Sequence, residues 1–268
     1  MTTVRYDAVD GVATITLDRP AVLNALTPEL MTDLRDALRR VVGDESIRVA
    51  VLTGAGRGFC SGADLSAVPA PDTDAAPLRA DVDDTQNLYN ATTQLLGELP
   101  VPTIARIQGV AAGGGAGLAL ACDISIAARS AYFVCTFGPR LGIVPDLGAT
   151  WHLPRRIGRA RTLGLTMLGG RLSAQQAADW GLIWSAVDDD ALDGSVADVA
   201  AQLARSSPEA MARIRQTVDD AFANPLDAQL ALEMEHQGVL VPRNMPEGAA
   251  AFMERREPAF DGRRWARG

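Results

Sequence analysis

Three consecutive glycines, Gly113 to Gly115, separate a strand-forming stretch from a helix-forming stretch. Residues 101–107 before them are rich in β-branched side chains, which favour an extended strand. Residues 118–121 after them are leucines and alanines, which favour a helix. The glycines are therefore predicted to form a strand-to-helix turn, where a backbone N–H can approach a bound group closely and the helix adds about half a positive charge. Such a turn suits an anion or a developing oxyanion, although a plain tight turn has the same pattern.

The glycine pattern does not fit the phosphate-binding loops of nucleotide-binding proteins. Neither G-x-x-x-x-G-K-[ST] nor G-x-G-x-x-G can be placed on residues 109–118, because Leu118 occupies the position of the last glycine. An oxyanion is therefore a better expected ligand of this turn than a nucleotide phosphate.

A second glycine-rich segment, residues 54–66, follows a short buried strand predicted at residues 49–53. In open α/β sheets, ligands gather beyond the carboxyl ends of the strands. We therefore expect this segment to share one site with the first glycine turn.

The N-terminal part of the chain is predicted to contain two strands that join at Asp10-Gly11. A helix capped by Thr27 then leads into the buried strand, and this order of strand, helix and strand implies a parallel crossover.

The remaining pattern adds short strands and a helical C-terminal part. Residues 67–84 lack apolar periodicity and are predicted to be mobile, or ordered only by a ligand or a neighbouring subunit. A helix is predicted from about Val82 to Glu98. Further strands are expected at residues 123–127, 131–135 and 182–187, and further helices at residues 191–205, 208–223, 226–240 and 246–256.

The composition limits the classes of function open to the chain. A formal charge of −8 over 268 residues argues against a nucleic-acid or anionic-membrane partner. Cys60, Cys122 and Cys135 show no metal-ligand spacing, so no metal site is predicted, and their odd number disfavours a disulfide framework. The N-terminus lacks a secretion-signal pattern, and no apolar run approaches the roughly 18 residues of a membrane span. These features predict a cytoplasmic protein without a membrane partner.

Six segments, in order along nearly the whole chain, make it similar to the crotonase superfamily, the enoyl-CoA hydratases and isomerases. They are LDRPAVLNAL (17–26), GFCSGADLS (58–66), IARIQGVAAGGGAGLALACDISIAA (104–128), LGIVPDLGATWHLPRRIG (141–158), GRLSAQQAADWGLI (170–183) and FMERREPAFDGR (252–263). The resemblance implies an α/β fold built as a spiral of ββα repeats. Residues 1–195 would form the core with the acyl-CoA site, and residues 196–268 a helical trimerisation region. It also implies a homotrimer or a dimer of trimers, with no cofactor beyond the coenzyme A of the substrate.

The resemblance gives the two glycine segments a joint task. The backbone N–H groups of Ala63 and Gly114 are expected to bind the thioester oxygen of an acyl-CoA, where negative charge grows as an enolate forms. Ala63, Asp64 and Leu65 are expected to line the adenine pocket. Phe260 is a further candidate for the CoA site, or else a tail aromatic packed on a neighbour.

The chain departs from the hydratase pattern at two carboxylates. Hydratases of the family add water with two glutamates, which correspond here to Gly117 and to Gly138, or to Pro139 with a different loop alignment. None of these residues can activate a water. Asp146 remains, where several isomerases of the family have their acid/base aspartate, and one carboxylate is enough to move a proton between the α and γ carbons. Asp146 also precedes a predicted helix, so a helix N-cap is an alternative role that does not exclude catalysis.

The expected function is a double-bond or ring isomerase acting on a CoA thioester, with a linear enoyl chain, a diene and a ring all open as the acyl group. A 2-enoyl-CoA hydratase with atypical residues and a non-catalytic acyl-CoA-binding protein are alternatives. A hydrolase with Cys60 as nucleophile fits G-x-S-x-G spacing but lacks its strand–turn–helix context. Asp146 needs a raised pKa to return its proton near neutral pH. The apolar residues expected to provide this are Leu141, Ile143, Val144, Leu147 and Trp151.

Overall fold

The computed structural model describes residues 2–67 and 75–265. Within these residues the strands are β1 (Val4–Val9), β2 (Val12–Leu17), β3 (Val49–Gly54), β4 (Thr103–Ile107), β5 (Val110–Ala112), β6 (Ile124–Ala128), β7 (Tyr132–Val134), β8 (Arg171–Ser173) and β9 (Ser185–Val187). The α-helices are α1 (Pro28–Gly43), α2 (Ala75–Gly97), α3 (Gly114–Ala121), α4 (Ala149–Leu168), α5 (Ala174–Asp179), α6 (Leu192–Arg205), α7 (Pro208–Asp220) and α8 (Leu226–Glu254).

The larger sheet has six strands in the order β1-β2-β3-β4-β6-β9. Strands β1 and β2 form the predicted antiparallel hairpin, and Asp10 and Gly11 in its turn both have positive φ, 51° and 78°. The other neighbours in this sheet are parallel. Between β2 and β3, helix α1 begins as predicted, because the Thr27 side chain accepts a hydrogen bond from the Leu30 N–H. The predicted parallel crossover is therefore confirmed.

The smaller sheet has three strands in the order β5-β7-β8. The sequence predicted a single strand running into the glycines, but the chain leaves β4, turns at Gln108 and Gly109, and forms β5 in the second sheet. Gly109 permits this crossing, because a Cβ there would overlap the carbonyl oxygen of Arg57. Two successive units, β4–β5–α3 and β6–β7–α4, show the ββα repeat that the resemblance implied.

Two helix boundaries differ from the sequence prediction. Helix α2 begins at Ala75, seven residues before the predicted start at Val82, while residues 68–74 of the segment expected to be mobile lie outside the described residues. Helix α8 is continuous although two helices were predicted, with Pro242 and Pro246 inside it. Each proline removes one intrahelical donor. Between the two prolines, Arg243 and Asn244 bond to Glu209 of α7 and to its cap residue Ser207.

The core lies between the larger sheet and its covering helices. Helix α1 lies against β1 and β2, and α6 lies against β2, β3, β4 and β6. Val196 and Ala200 of α6 belong to the buried core, and this helix runs through the boundary placed after residue 195, so the division into two regions stays a prediction. Among residues 2–67 and 75–265, no helix combines the length and the apolar character that crossing a bilayer requires.

Candidate active site

The two glycine segments are in direct contact. A Cβ added to Gly62 would lie 2.8 Å from the carbonyl oxygen of Ala112 and 3.4 Å from the backbone nitrogen of Gly114. An isolated parallel bridge between Cys60 and Ala111 joins the same two segments. The structure therefore brings together the neighbourhoods of both expected N–H donors.

The N–H groups of Ala63 and Gly114 have no backbone acceptor among the described residues. Gly114 is the first residue of α3, where a helical N–H has no intrahelical partner. Ala63 forms a parallel bridge with Leu26, which donates to Gly62 and accepts from Asp64, so the N–H of Ala63 points away from Leu26. Two unpaired donors on adjoining backbone segments can stabilise an oxyanion.

Two amide side chains, which the sequence did not single out, hold the segment that carries Ala63. Asn24 is fully buried, and its Nδ2 lies 2.9 to 3.1 Å from the carbonyl oxygens of Ala55, Gly58 and Phe59. Gln108 Nε2 donates to the carbonyl oxygen of Gly58 as well, at 2.7 Å. The segment is thus shaped by side chains from distant parts of the chain.

Asp146 lies in a tight turn directly before α4. Its carbonyl oxygen accepts from the Ala149 N–H at 2.9 Å, and Leu147 and Gly148 between them both have positive φ, 49° and 76°. The N-cap of α4 is Gly148, and no side-chain hydrogen bond caps the helix. The alternative role of Asp146 as the helix N-cap is therefore wrong, because the turn places its side chain before the cap position.

The Asp146 carboxyl group lies in a site that disfavours its charge. Among the described residues its Oδ1 is buried without a hydrogen-bond partner. Burial raises the pKa of Asp146, and a hydrogen bond from the side chain of Gln86 acts in the opposite direction. Tyr89, one turn further along α2, is buried nearby, and burial together with the charge of Asp146 raises the pKa of its phenol to about 12. Gln86 and Tyr89 had no recognisable signal in the sequence.

The apolar surroundings expected around Asp146 are only partly present. Leu147 is 2% exposed, whereas the other four expected residues are more than 40% exposed in this chain, namely Leu141, Ile143, Val144 and Trp151. The carboxyl group is instead desolvated on the side of Leu147 and α2.

Leu147 connects the Asp146 turn to the glycine turn. A Cβ at Gly114 would overlap Cδ1 of Leu147, and a Cβ at Gly117 would lie 2.7 Å from the Leu147 carbonyl oxygen. Gly138 and Pro139, the two candidates for the second hydratase position, lie in the helical turn Phe137–Leu141, and Gly138 faces the carbonyl oxygen of Thr166. The candidate carboxylate that precedes a residue in contact with Gly114 is therefore that of Asp146.

Asp64 and Leu65 follow Ala63 at the open edge of the site. Asp64 pairs with Arg19 at 2.9 Å, and hydrogen bonds from Ser66 together with Arg19 lower the pKa of Asp64. Leu65 is 52% exposed. Both residues lie beside Ala63, and their place in an adenine pocket stays a prediction.

Phe260 is not brought to the other candidates within one chain. The tail around it lies against the residues before β3, where a Cβ at Gly262 would lie 2.6 Å from the guanidinium of Arg48. Ala63 follows the opposite, carboxyl end of β3. No contact between Phe260 and Ala63 is present among the described residues.

Cys60 and His152 do not form a hydrolase site. Burial raises the pKa of the Cys60 thiol to about 12, and its Sγ donates to the carbonyl oxygen of Asn24 at 3.1 Å. A buried neutral thiol is a poor nucleophile. His152 packs edge-on against Trp151 at 4.8 Å, and burial lowers its pKa to about 4. The hydrolase alternative is therefore rejected, and His152 is a packed, neutral histidine.

Comparison with known proteins places this geometry in a family. The enoyl-CoA hydratase/isomerase family model matches residues 7–263. The chain is 45% identical over 256 residues to 1,2-epoxyphenylacetyl-CoA isomerase of Escherichia coli strain K12, covering 94% of this chain and 96% of that protein. It is 43% identical over 263 residues to a protein of Rhodobacter capsulatus named probable enoyl-CoA hydratase, covering 97% and 98% of the two chains.

Solved structures show the same fold. The crystal structure of an enoyl-CoA hydratase from Polaromonas sp. JS666 has a TM-score of 0.89 and 33% sequence identity, covering 96% of this chain and 99% of that one. With two unpaired backbone donors beside a desolvated aspartate, and with relatives matched over nearly their full lengths, the chain belongs to the enoyl-CoA hydratase/isomerase family of the crotonase superfamily.

Proposed function

We propose that the protein is an acyl-CoA isomerase in which Asp146 is the single acid/base. The observation that supports this best is the buried Oδ1 of Asp146, which has no partner among the described residues and lies on a turn in contact with Gly114. A carboxylate oxygen without a partner is free to take a proton from a substrate.

The proposed reaction moves one proton and needs no water. Asp146 removes a proton from one of the two carbons α and γ to the thioester, and the electron pair moves to the thioester oxygen. The N–H groups of Ala63 and Gly114 stabilise the resulting enolate oxygen. Asp146 then returns the proton to the other carbon, so that the double bond shifts and the substrate keeps its atoms.

The order in which to test substrates is guided by the E. coli relative, whose name states that it isomerises 1,2-epoxyphenylacetyl-CoA. A CoA thioester carrying an epoxidised ring is therefore the first substrate to try, and a linear 3-enoyl-CoA is the second. Hydration is the alternative, since other relatives are named as hydratases. With glycines at positions 117 and 138, we expect hydration of crotonyl-CoA to be weak or absent.

The decisive experiment is isotope exchange in deuterated water, followed by NMR for a series of acyl-CoA thioesters. We expect exchange at the α or γ carbon with the native protein and its loss in Asp146→Asn. Equal exchange in both proteins would assign the base to another residue. Binding without exchange for every thioester would favour the non-catalytic acyl-CoA-binding protein.

The oxyanion role of the backbone is best tested at Ala63. Gly114 offers no clean test, because any side chain there overlaps Leu147. Ala63→Pro removes the N–H donor, and we expect turnover to fall by about 10²- to 10³-fold, the usual effect of losing one such donor. Ala63 is exposed, so Ala63→Ser keeps the N–H and serves as the matched control. Full activity of Ala63→Pro would contradict the assignment.

We also propose that the chain works as a homotrimer or a dimer of trimers in the cytoplasm. This is supported by large apolar side chains left exposed on α8, including Leu226, Met234, Phe252 and Met253, which are 73 to 82% exposed. Phe260 would then reach a CoA site only in a neighbouring copy, which is consistent with its position at the opposite end of β3 from Ala63.

A further inference from the structure

Leu147 has an unusual backbone and a buried side chain. Its φ is 49°, a region that a bulky side chain rarely adopts, and it is 2% exposed. The side chain fills the space in front of Gly114, where a Cβ would overlap Cδ1 of Leu147 and lie 3.0 Å from Cδ1 of Leu26. The strained backbone is therefore held by packing on the first turn of α3.

Gly117 lies one turn further along α3, on the same face as Gly114. A Cβ at Gly117 would lie 2.7 Å from the carbonyl oxygen of Leu147 and 2.8 Å from its Cβ. These two atoms are fixed by the backbone, so they cannot rotate away as the end of a flexible side chain could. A side chain at position 117 and the Asp146–Leu147 turn therefore cannot occupy this space together.

The turn is also confined on its other side. A Cβ at Gly148 would lie 3.2 Å from Cδ2 of His152, which belongs to the first turns of α4. The hydrogen bond from the Ala149 N–H to the carbonyl oxygen of Asp146 closes the turn. The turn is held between α3 and α4 and contains Asp146. Any displacement of the turn therefore also moves Asp146.

We propose that Gly117 and Leu147 are a pair of positioning residues that decide which acid/base chemistry the site supports. Leu147 occupies the space that a side chain at position 117 would need, and in doing so it holds Asp146 beside the oxyanion donor of Gly114. In this chain, a carboxylate at position 117 and the Asp146 turn in its present position are then mutually exclusive. Glycine at position 117 is thus a requirement of the proton-shuttling site rather than only the loss of a hydratase residue. The inference rests on the proposed function of Asp146.

The first test measures activity and binding in Gly117→Ala. We expect the Asp146-dependent exchange rate to fall by about 100-fold, as for a displacement of about 1 Å at a catalytic group. The Kd for hexanoyl-CoA should stay unchanged, because the turn and not the CoA site moves. The matched control is Gly164→Ala in α4, where nothing lies within 4 Å of an added Cβ. Gly117→Ala behaving like this control would overturn the proposal.

The second test measures the contact itself and does not depend on activity. Leu147→Gly removes the Cβ and tolerates positive φ, so the effect of Gly117→Ala on the free energy of unfolding should be smaller in the Leu147→Gly background than in the native one. If Gly117→Ala does not fold, folding of the double variant supports the pairing in the same way. Strictly additive effects of the two changes would overturn it. Failure of the proposed function would be seen in a different measurement, because Asp146→Asn would then exchange isotope at the rate of the native protein.

Discussion

Asp146 is a carboxylate whose surroundings oppose its ionisation. Burial raises its pKa above the ordinary value of 3.8, and Oδ1 lacks a compensating partner among the described residues. A carboxyl group whose pKa is higher in the folded than in the unfolded protein stabilises the fold at a pH below its unfolded-state pKa. This contribution to the free energy of unfolding is lost as the pH rises through its folded-state pKa. The raised pKa that suits Asp146 to proton transfer therefore also lowers the free energy of unfolding at neutral pH.

Asp146→Asn is accordingly expected to abolish exchange while making the protein more stable at pH 7. The neutral amide avoids the desolvated charge, so the free energy of unfolding should rise at pH 7, and the difference should disappear below the ordinary aspartate pKa of 3.8. Urea unfolding across this pH range measures it. A variant that is less stable than the native protein at pH 7 would contradict the account of the site.

Gln86 sets how far the pKa of Asp146 is raised. Its side chain hydrogen bonds to the carboxyl group and lowers the pKa, against the larger effect of burial. Gln86→Leu is expected to move the acid limb of the pH–rate profile to higher pH, because the base is then protonated more easily. The control is Gln94→Leu on the same helix, where the exposed amide bonds only to Glu98 among the described residues. An acid limb unchanged in Gln86→Leu would exclude this role.

At the scale of elements, the site is assembled where two sheets meet. The segment after β3 carries Ala63, and the turn between β5 and α3 carries Gly114. Asn24, from the segment before α1, ties the first of these loops in place through buried carbonyl groups. The position of the loop that carries Ala63 therefore depends on the amide of Asn24, which is fully buried.

Asn24→Ala is expected to destabilise the protein and to weaken catalysis. Each buried carbonyl oxygen left without a donor costs about 1–3 kcal/mol, and the freed loop no longer fixes the N–H of Ala63. Urea unfolding and turnover of the same preparation measure both effects. Asn90→Ala, at an exposed position of α2, is the control and should be near native in both. A loss of stability without any loss of turnover would show that the loop does not position the donor.

At the scale of the whole molecule, the C-terminal part is tied to the core but leaves an apolar face uncovered. The guanidinium of Arg264 donates to the carbonyl oxygens of Val41, Asp44 and Ile47 at the end of α1 and beyond it, so the tail returns to the first helix. A cavity of about 450 Å³ separates α4 from α7 and is lined by exposed aromatic side chains, Trp151 and Phe222. A second copy of this chain would remove these surfaces from water.

Light scattering is expected to show a trimer or hexamer in dilute solution. Burying a large apolar side chain contributes roughly 1.5–3 kcal/mol, so Phe252→Asp combined with Met234→Asp should dissociate the assembly at concentrations where the native protein stays associated. Because Phe252 and Met234 are 82% and 73% exposed in the single chain, the fold of the protomer should persist. A native protein that is monomeric at every concentration would contradict the proposal.

The sequence by itself determined the features that depend on neighbouring residues. Helix caps such as Thr27, the hairpin turn at Asp10 and Gly11, and the glycine turn before α3 have signatures within a few positions. The six segments in family order likewise sufficed to propose Ala63, Gly114 and Asp146 as site residues, and to predict that the hydratase glutamates correspond here to Gly117 and to Gly138 or Pro139. Local backbone preferences and hydrogen bonds act over short separations, so a linear pattern records them.

Only the tertiary structure decided which of these parts touch. Asn24 bonds to Gly58 across 34 positions, and Leu147 packs on Gly114 and Gly117 from a different ββα unit. Such contacts follow from how the sheets and helices pack, and neither partner carries a local pattern that names the other. For the same reason, the structure and not the sequence removed Asp146 from the N-cap of α4 and showed that the residue after it, Leu147, packs on the glycine turn.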